Sequence, residues 1–431
     1  LFLPIAGLVF YFFFGRSQRR ERIIGQKSYD RLLKKPMAEY MAQDCSDVPE
    51  EYARLIQLFQ HTNQAFPFEG NRIAVYTEGY TKLQSLLREL QKAKQHIHIE
   101  YYIFEDDAIG RLVRDVLIEK ASQGVEVRVI YDDVGCWHVP NRFFEEMRNA
   151  GIEVRSFLKV RFPLFTSRVN YRNHRKIVVI DGRIGFVGGM NLAERYMRGF
   201  SWGIWRDTHI LIEGKAVHGL QTAFLLDWYF VDRTLITASR YFPKIESCGS
   251  SLVQVVTSEP IGPWKEIMQG LTMAINGAKK YFYMQTPYFL PTEQVLAAMQ
   301  TAALAGVDVR LMLPERADNR ITHLGSHSYL ADVMQAGVKV YFYKKGFLHS
   351  KLMLSDDMLS TVGSTNVDFR SFEHNFEVNA FMYDVETALE MKEIFLQDQR
   401  ESTQIFLKNW VKRSWRRRAA ESVVRLLAPL L

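Results

Sequence analysis

The chain has 431 residues, of which 47% are hydrophobic and 13% are aromatic. At roughly 100–200 residues per domain, this length predicts about two to four domains, and the composition excludes a disordered, collagen-like or disulfide-scaffold protein. Lysine and arginine number 55 and aspartate and glutamate number 48, which gives a net charge of +7. A mild basic excess favours anionic partners such as phosphates, nucleic acid or anionic lipid.

The first 14 residues are apolar and uncharged. As a helix they would span only about 21 Å, less than the roughly 30 Å hydrocarbon core of a bilayer. We therefore expect the numbering to begin inside or just before a transmembrane helix, with 1–15 as its visible part and 16–72 as a membrane-proximal linker with helices. Arginines at positions 16, 19, 20 and 22 follow at once, which predicts that most of the chain lies on the cytoplasmic side. A buried helix of a soluble domain is the alternative.

The middle of the chain reads strand, helix, strand, helix twice. The segment Gly124–Arg128 recurs as Gly306–Arg310, and the elements around it recur at a nearly constant offset. Such an offset indicates two copies of one unit, and alternating strands and helices predict an α/β fold with mainly parallel or mixed sheets. The sequence thus predicts two tandem α/β domains, over 73–245 and 246–407, related by pseudo-twofold symmetry.

The last segment, 408–431, mixes basic residues with tryptophan, valine and leucine. We interpret it as a basic amphipathic tail that lies flat on an anionic membrane surface. A solvated basic helix that closes the fold is the alternative.

Each copy also contains the same polar motif: His-x-Lys, four mostly apolar residues, Asp, and then Gly-x-x-Asn. On a strand, residues two apart face the same side, so the His and the Lys of each motif should enter one cavity. The first motif is made of His174, Lys176, Asp181 and Asn191, and the second of His349, Lys351, Asp356 and Asn366.

If the two copies meet about a twofold axis, paired His, Lys and Asn side chains converge on one point, which suits a phosphodiester. Lysine and asparagine would stabilise its oxygens, while one imidazole attacks phosphorus and the other protonates the departing alcohol. Two ammonium groups supply the positive charge, so we expect neither a metal nor a cofactor. Asp181 and Asp356 complete the motifs of the catalytic set, although their place between strand and turn favours hydrogen bonding to that turn. The second copy has Ser364 where the first has Gly189, so we expect a phosphate-binding hydroxyl on one side only, beside Asn191 and Asn366.

These paired motifs resemble the phospholipase D superfamily over nearly the whole chain, from about residue 73 onwards. The apolar and basic N-terminal flank, the segments Trp205–His209 and Thr286–Phe289 and the basic tail are similar to those of bacterial cardiolipin synthases. The resemblance implies a phosphatidyltransferase of the bacterial inner membrane that acts through a phosphohistidine, with phosphatidylglycerol as substrate, glycerol as product and no nucleic-acid partner. It also implies His174 as nucleophile and His349 as general acid and base, an order that the near symmetry of the motifs leaves open.

A nucleophilic imidazole needs a carboxylate on its other nitrogen. Asp207 and Glu377 follow the two motifs, and we expect them to orient His174 and His349, respectively. The alternative for each is a surface or turn acid.

Three other functions remain open at this point. The protein could be a hydrolase of the phospholipase D type, or a nucleic-acid phosphodiesterase of the same superfamily, which interleaved aromatic and basic residues would suit. A protein that binds phospholipid without turnover is the third, although binding alone does not require two imidazoles.

Overall fold

The computed structural model describes residues 48–159 and 171–430. The predicted membrane segment 1–15 and most of the predicted linker 16–72 lie outside the described residues. Among the helices in the described ranges, none combines the length and the apolar character that crossing a membrane requires.

In the part of the first half that the structure describes, there are nine strands and six α-helices. The strands are β1 (Pro67–Tyr76), β2 (His96–Tyr101), β3 (Glu126–Asp132), β4 (Glu153–Phe157), β5 (Arg172–Asn173), β6 (Lys176–Ile180), β7 (Ile184–Gly188), β8 (Ile204–Arg206) and β9 (His209–Glu213). The helices are α1 (Ala53–Asn63), α2 (Gly79–Lys92), α3 (Ala108–Ser122), α4 (Asn141–Asn149), α5 (Arg195–Arg198) and α6 (Val217–Asp232).

The second half contains eleven strands and seven helices within the described residues. The strands are β10 (Ser251–Ser258), β11 (Tyr281–Gln285), β12 (Phe289–Leu290), β13 (Asp308–Pro314), β14 (Lys339–Tyr343), β15 (Gly346–Leu348), β16 (Leu352–Ser355), β17 (Leu359–Gly363), β18 (Val367–Asp368), β19 (Asn375–Tyr383) and β20 (Ser402–Ile405). The helices are α7 (Glu266–Gly277), α8 (Glu293–Leu304), α9 (Arg320–Gln335), α10 (Phe369–Glu373), α11 (Val385–Arg400), α12 (Leu407–Trp410) and α13 (Trp415–Leu426).

One mixed sheet runs through both halves in the order β20-β14-β13-β11-β16-β17-β19-β10-β1-β9-β7-β6-β2-β3-β4. Its centre is the antiparallel pair β1 and β10, where Phe68 lies opposite Val253. Outward from this pair, each half repeats the same succession as far as three parallel strands, β2, β3 and β4 or β11, β13 and β14, and β20 adds an antiparallel edge strand to the second half. An antiparallel pair at the centre fits a pseudo-twofold axis, and the predicted α/β fold with two copies of one unit is confirmed.

Local sequence explains why the helices form where they do. Asp107 begins α3 by accepting hydrogen bonds from the amides of Ile109 and Gly110, which satisfies donors that a helix start leaves unpaired. In α2, Leu83, Leu86 and Leu90 are buried, at the spacing that places them on one helix face. Such apolar faces cover both sides of the sheet, so all eight residues of β10 are buried.

The described start of the chain belongs to the second half as well as the first. Helix α1 contributes Leu55, Ile56 and Phe59 to a core cluster made mainly of second-half residues. Strand β1 begins at Pro67, before the predicted domain start at residue 73. The predicted join near 245 falls in the irregular connection that precedes β10.

Candidate active site

Each histidine motif starts on a short strand that joins the opposite half. Strand β5 pairs in parallel with β19, and the amide of His174 donates a hydrogen bond to the Phe376 carbonyl over 3.0 Å. Strand β15 pairs in parallel with β8, and the amide of His349 donates to the Arg206 carbonyl over 2.7 Å. Backbone pairing across the halves therefore fixes where both imidazoles lie.

Both imidazoles line one cavity of about 570 Å³, together with Asn191 and Asn366. His174 is 9% exposed and His349 is 7% exposed, so both rings are largely buried apart from the part that faces the cavity. The structure thus brings together the two histidines and the two asparagines that the motifs single out.

The carboxylates cross between the halves. Both Glu377 oxygens lie within hydrogen-bond distance of His174 Nδ1, at 3.0 and 3.1 Å, and Asp207 Oδ2 lies 2.7 Å from His349 Nδ1. The predicted pairing, Asp207 with His174 and Glu377 with His349, is therefore wrong. Glu377 directly follows Phe376, whose carbonyl binds the His174 amide, and Asp207 directly follows Arg206, whose carbonyl binds the His349 amide. The strand pairing between the halves therefore places each carboxylate beside the histidine of the other half.

Gly189 and Ser364 occupy equivalent positions in the two motifs, and each lies against one of these carboxylates. A Cβ at Gly189 would clash with an Asp207 carboxylate oxygen, so only glycine leaves room for that side chain. Ser364 donates its hydroxyl to Glu377 Oε2 and is fully buried. The cavity lining does not include Ser364, so the prediction that it binds phosphate is corrected: its hydroxyl is used up in positioning Glu377.

The two lysines lie behind the imidazoles, almost fully buried. Each ammonium donates to the carbonyl of its own histidine, Lys176 to His174 and Lys351 to His349. Burial lowers the pKa of Lys176 to about 7 and that of Lys351 to about 8, although the nearby Glu377 and Asp207 carboxylates oppose the shift. The ammonium groups are therefore close to their titration points near neutral pH.

Burial also lowers the pKa of both histidines. Glu377 opposes the shift at His174. At His349 burial and the Lys351 ammonium together lower the pKa to about 3. Both imidazoles are thus neutral at pH 7. Burial alone would raise the pKa of Glu377 and Asp207, but the facing imidazole and ammonium groups outweigh it and lower both values.

The asparagines differ in how they are held. Asn191 accepts a hydrogen bond from the Ile103 amide over 3.1 Å and donates to the Tyr196 hydroxyl. The side-chain oxygen of Asn366 has no hydrogen-bond partner among the described residues. Both side chains can therefore present an amide to a ligand, and Asn366 has the less constrained one.

Asp181 and Asp356 lie away from the cavity, and their inclusion in the catalytic set is corrected. Asp181 accepts from the amides of residues 94–96, and Asp356 from those of residues 279–281. Each of these aspartates directly follows a strand and has a positive φ, 53° for Asp181 and 54° for Asp356. Their carboxylates connect the turn to the start of β2 and of β11, respectively. Their alternative interpretation, as acids that hold a turn, describes what the structure shows.

Two buried guanidinium groups that hold the carboxylates' backbone are not among the residues predicted from the sequence. Arg175 Nε donates to the Glu377 carbonyl over 3.1 Å and pairs with Asp227 of α6. Arg206 donates to the Asp207 carbonyl and pairs with Asp398 of α11 over 2.7 Å. Since one arginine lies inside a motif and the other beside an acid, no repeated pattern in the sequence reveals their common role.

Arg195 and Arg370, which line the cavity, are likewise not among the predicted site residues. Each is the fourth residue after a motif asparagine, Asn191 or Asn366. That shared spacing is a signal from which both could have been found.

A duplicated sheet with two carboxylate-paired imidazoles in one cavity defines a two-domain protein of the phospholipase D type. The comparisons with known proteins agree. The family model described as "Cardiolipin synthase, PLD-like domain" matches residues 86–227 and 271–399. The chain belongs to this family.

Similar proteins share this assignment. A cardiolipin synthase of Geobacillus kaustophilus (strain HTA426) is 42% identical over 99% of this chain and 86% of its own length. The major cardiolipin synthase ClsA of Bacillus subtilis (strain 168) is 38% identical over 100% of this chain and 92% of its own length. Among solved structures, the phosphatidylserine synthase of Haemophilus influenzae Rd KW20 matches with a TM-score of 0.67 at 14% identity, over 88% of this chain and 100% of that one. At this level of identity, the likeness shows a shared fold.

Proposed function

We propose that this enzyme is a cardiolipin synthase that transfers a phosphatidyl group from one phosphatidylglycerol to another and releases glycerol. The observation that supports this most directly is the pair of carboxylate-bound imidazoles, His174 with Glu377 and His349 with Asp207, which open into one cavity. A phosphodiester between them meets one nitrogen on each side.

In the first step, Nε2 of His174 attacks phosphorus as a neutral imidazole. The N–P bond forms, the bond from phosphorus to the glycerol oxygen breaks, and that oxygen takes a proton from His349. Glu377 stabilises the positive charge that develops on His174. His349 takes up its proton when the phosphodiester binds, because that negative charge opposes the burial and the Lys351 ammonium that lower the pKa of His349.

In the second step, a hydroxyl of another phosphatidylglycerol attacks the phosphohistidine. His349 takes the proton from that hydroxyl, a new O–P bond forms and the N–P bond breaks, which restores both imidazoles. Lys176, Lys351, Asn191 and Asn366 stabilise the phosphate oxygens as charge builds on them.

We also propose that the enzyme acts at the cytoplasmic face of the bacterial inner membrane, with 1–15 as part of an anchor. Helix α13 supports contact with an anionic lipid surface. Trp415, Val423 and Leu426 are 70%, 60% and 81% exposed, and their spacing places them on one helix face. Three exposed arginines lie within the first turn, Arg416, Arg417 and Arg418.

Helix α13 packs on α9: Arg425 pairs with Asp332 over 2.8 Å. The chain at the start of α9 lines the cavity with Asn319 and Thr322. A lipid surface against α13 would therefore lie near the entrance through which phospholipid headgroups reach the imidazoles.

The deciding experiment offers labelled phosphatidylglycerol to the purified full-length enzyme. Formation of cardiolipin with an equal amount of free glycerol supports the proposal. Phosphatidic acid as the main product would instead indicate a hydrolase. Cleavage of DNA or RNA without any reaction of lipid would indicate a nuclease.

The same assay tests the residues. His174→Ala should abolish an acid-labile covalent lipid adduct, whereas His349→Ala should accumulate one because the second step lacks its base. Each substitution should lower turnover by about 100-fold or more, the usual size of acid–base effects. Turnover near the wild-type level in both variants would show that these imidazoles are not the reacting groups.

A further inference from the structure

The two ends of the cavity differ in charge although the fold repeats. Next to His174, Tyr102 packs its ring edge-on with centroids 5.1 Å apart. Arg172 and Arg370 both line the cavity. Arg172 pairs with Asn375 at the start of β19, just after the helix α10 that contains Arg370, and the pKa of Tyr102 responds to both guanidinium charges. One wall of the cavity therefore has two arginines around an aromatic ring.

The equivalent position in the second half is apolar. Phe347 precedes His349 by two residues, as Arg172 precedes His174, and it is fully buried. Its ring contacts Trp205 with centroids 5.1 Å apart, and Trp205 lies 5.1 Å from the His349 ring. The cation at this position is thus a feature of the His174 side alone.

The arginine pair is close and partly buried. Burial lowers the pKa of Arg172, and the nearby Arg370 charge lowers it further, while Asp132 opposes both. Arg172 also donates to the Tyr171 carbonyl over 2.6 Å, and Asp132 accepts hydrogen bonds from the amides of Val134, Gly135 and Asn173. Two neighbouring guanidinium groups at a cavity wall make a favourable site for an anion.

We propose that Arg172 and Arg370 bind a second phosphodiester, that of the lipid whose phosphorus does not react. This inference rests on the proposed function, in which the acceptor phosphatidylglycerol keeps its own phosphate while its terminal hydroxyl attacks. Cardiolipin then contains two phosphates joined by one glycerol, and both must lie in the cavity when the product forms.

The reach is sufficient. Residues two apart on a strand are separated by about 6.6 Å and face the same side. His174 directly follows β5, and its amide continues the pairing with β19 by donating to the Phe376 carbonyl, so Arg172 and His174 keep this arrangement. A bridge of three carbons and two ester oxygens can span a gap of that size. The reacting phosphate can therefore lie at the imidazoles while the second phosphate contacts the arginines.

The experiment compares two reactions of the full-length enzyme in phosphatidylglycerol vesicles. One is cardiolipin formation, whose acceptor is anionic. The other is exchange of labelled free glycerol into phosphatidylglycerol, which uses the same imidazoles with an uncharged acceptor. Arg172→Gln and Arg370→Gln should each lower cardiolipin formation tenfold or more and change glycerol exchange less than threefold.

Arg198→Gln is the matched control. Arg198 lies on α5, is exposed, pairs with Glu194 over 2.8 Å and is not among the residues that line the cavity. The ratio of the two reactions should stay within twofold of wild type in this variant. Arg172→Lys and Arg370→Lys keep the charge and should retain more cardiolipin formation than the glutamine variants.

Glycerol 3-phosphate separates recognition of phosphate from recognition of acyl chains. The wild-type enzyme should use it in preference to glycerol, and Arg172→Gln should lose that preference. Equal use of the two acceptors by wild type would overturn the proposal and indicate that acyl chains select the acceptor.

The two proposals can fail separately. If wild type neither makes cardiolipin nor exchanges glycerol, the proposed function is wrong. If wild type does both and the glutamine variants lower both reactions equally, or neither, the function stands and the second phosphate site is wrong.

Discussion

At the scale of single residues, the site depends on charged side chains that are buried from solvent. Glu377 and Asp207 are fully buried, and each contacts an imidazole and accepts hydrogen bonds from further donors. Asp207 receives the amide of Thr208 over 2.8 Å, and Glu377 receives the Ser364 hydroxyl and the Asn375 amide. A buried carboxylate so fixed holds its imidazole in one tautomer and orientation.

The crossed pairing predicts which acid supports which step. In a His349→Ala background, where the adduct accumulates on His174, Glu377→Gln should slow adduct formation by about 100-fold or more because the imidazolium loses its carboxylate. Asp207→Asn in the same background should have little effect, since its partner imidazole is already absent. The measurement is the rate at which acid-labile labelled lipid appears on the protein, and the reverse ranking would contradict the crossed arrangement.

The lysines predict a pH dependence. A lysine is charged below its pKa, so Lys176, with a pKa of about 7, and Lys351, with a pKa of about 8, should both bind phosphate well at pH 6 and poorly at pH 9. We expect KM for phosphatidylglycerol to rise about tenfold or more across this interval, because a charge-assisted hydrogen bond is lost.

Lys176→Arg provides the control for this effect, since a guanidinium stays charged throughout. In that variant the part of the KM increase near pH 7 should disappear and the part near pH 8 should remain. An unchanged KM profile would show that Lys176 does not titrate in this interval.

At the scale of secondary structure elements, short strands bring the site together. Strand β5 has two residues and β15 has three, too few to be stable alone, yet each aligns a histidine against the opposite half. Helices α6 and α11 stabilise these junctions through Asp227 and Asp398, which pair with buried arginines. Strands β5 and β15 therefore determine the geometry of the site, although they are too short for an alternating sequence pattern to reveal them.

This arrangement predicts a stability difference along α11. Asp398→Asn leaves the guanidinium of Arg206 buried without its counter-ion, which should lower the free energy of unfolding by about 3–5 kcal/mol. Glu393→Gln removes an ion pair on the same helix whose side chains are 63% and 68% exposed, and should cost about 0–1 kcal/mol. Denaturant midpoints of the two variants and wild type, measured under identical conditions, provide the comparison; equal midpoints would contradict it.

At the scale of the whole molecule, two halves form one continuous sheet and one cavity. The β1–β10 pair joins the sheet, and the β5–β19 and β8–β15 pairs close the site. The halves also differ beside the imidazoles, since Arg172 lies two residues before His174 and the buried Phe347 lies two residues before His349. The two copies therefore supply matching imidazoles in surroundings that are not identical.

The orientation of the molecule on lipid can be tested with tryptophan fluorescence. With vesicles of brominated phosphatidylglycerol, Trp415 should be quenched because it lies on the exposed face of α13. Trp415→Phe should remove this quenched component. Trp137→Phe, which replaces a tryptophan that is 57% exposed in the first half, should leave the component in place, and the opposite pattern would show that another face meets the lipid.

The sequence by itself determined the duplicated α/β unit, the two His-x-Lys motifs and the asparagines, because strand alternation and motif spacing are local properties that repeat along the chain. It did not determine which acid pairs with which histidine, that Ser364 serves Glu377, or that Arg172 lies with Arg370. Those relations depend on strand pairing between segments about 150 to 200 residues apart. Since hydrogen bonds across the halves and burial of charge decide them, they follow only from the tertiary structure.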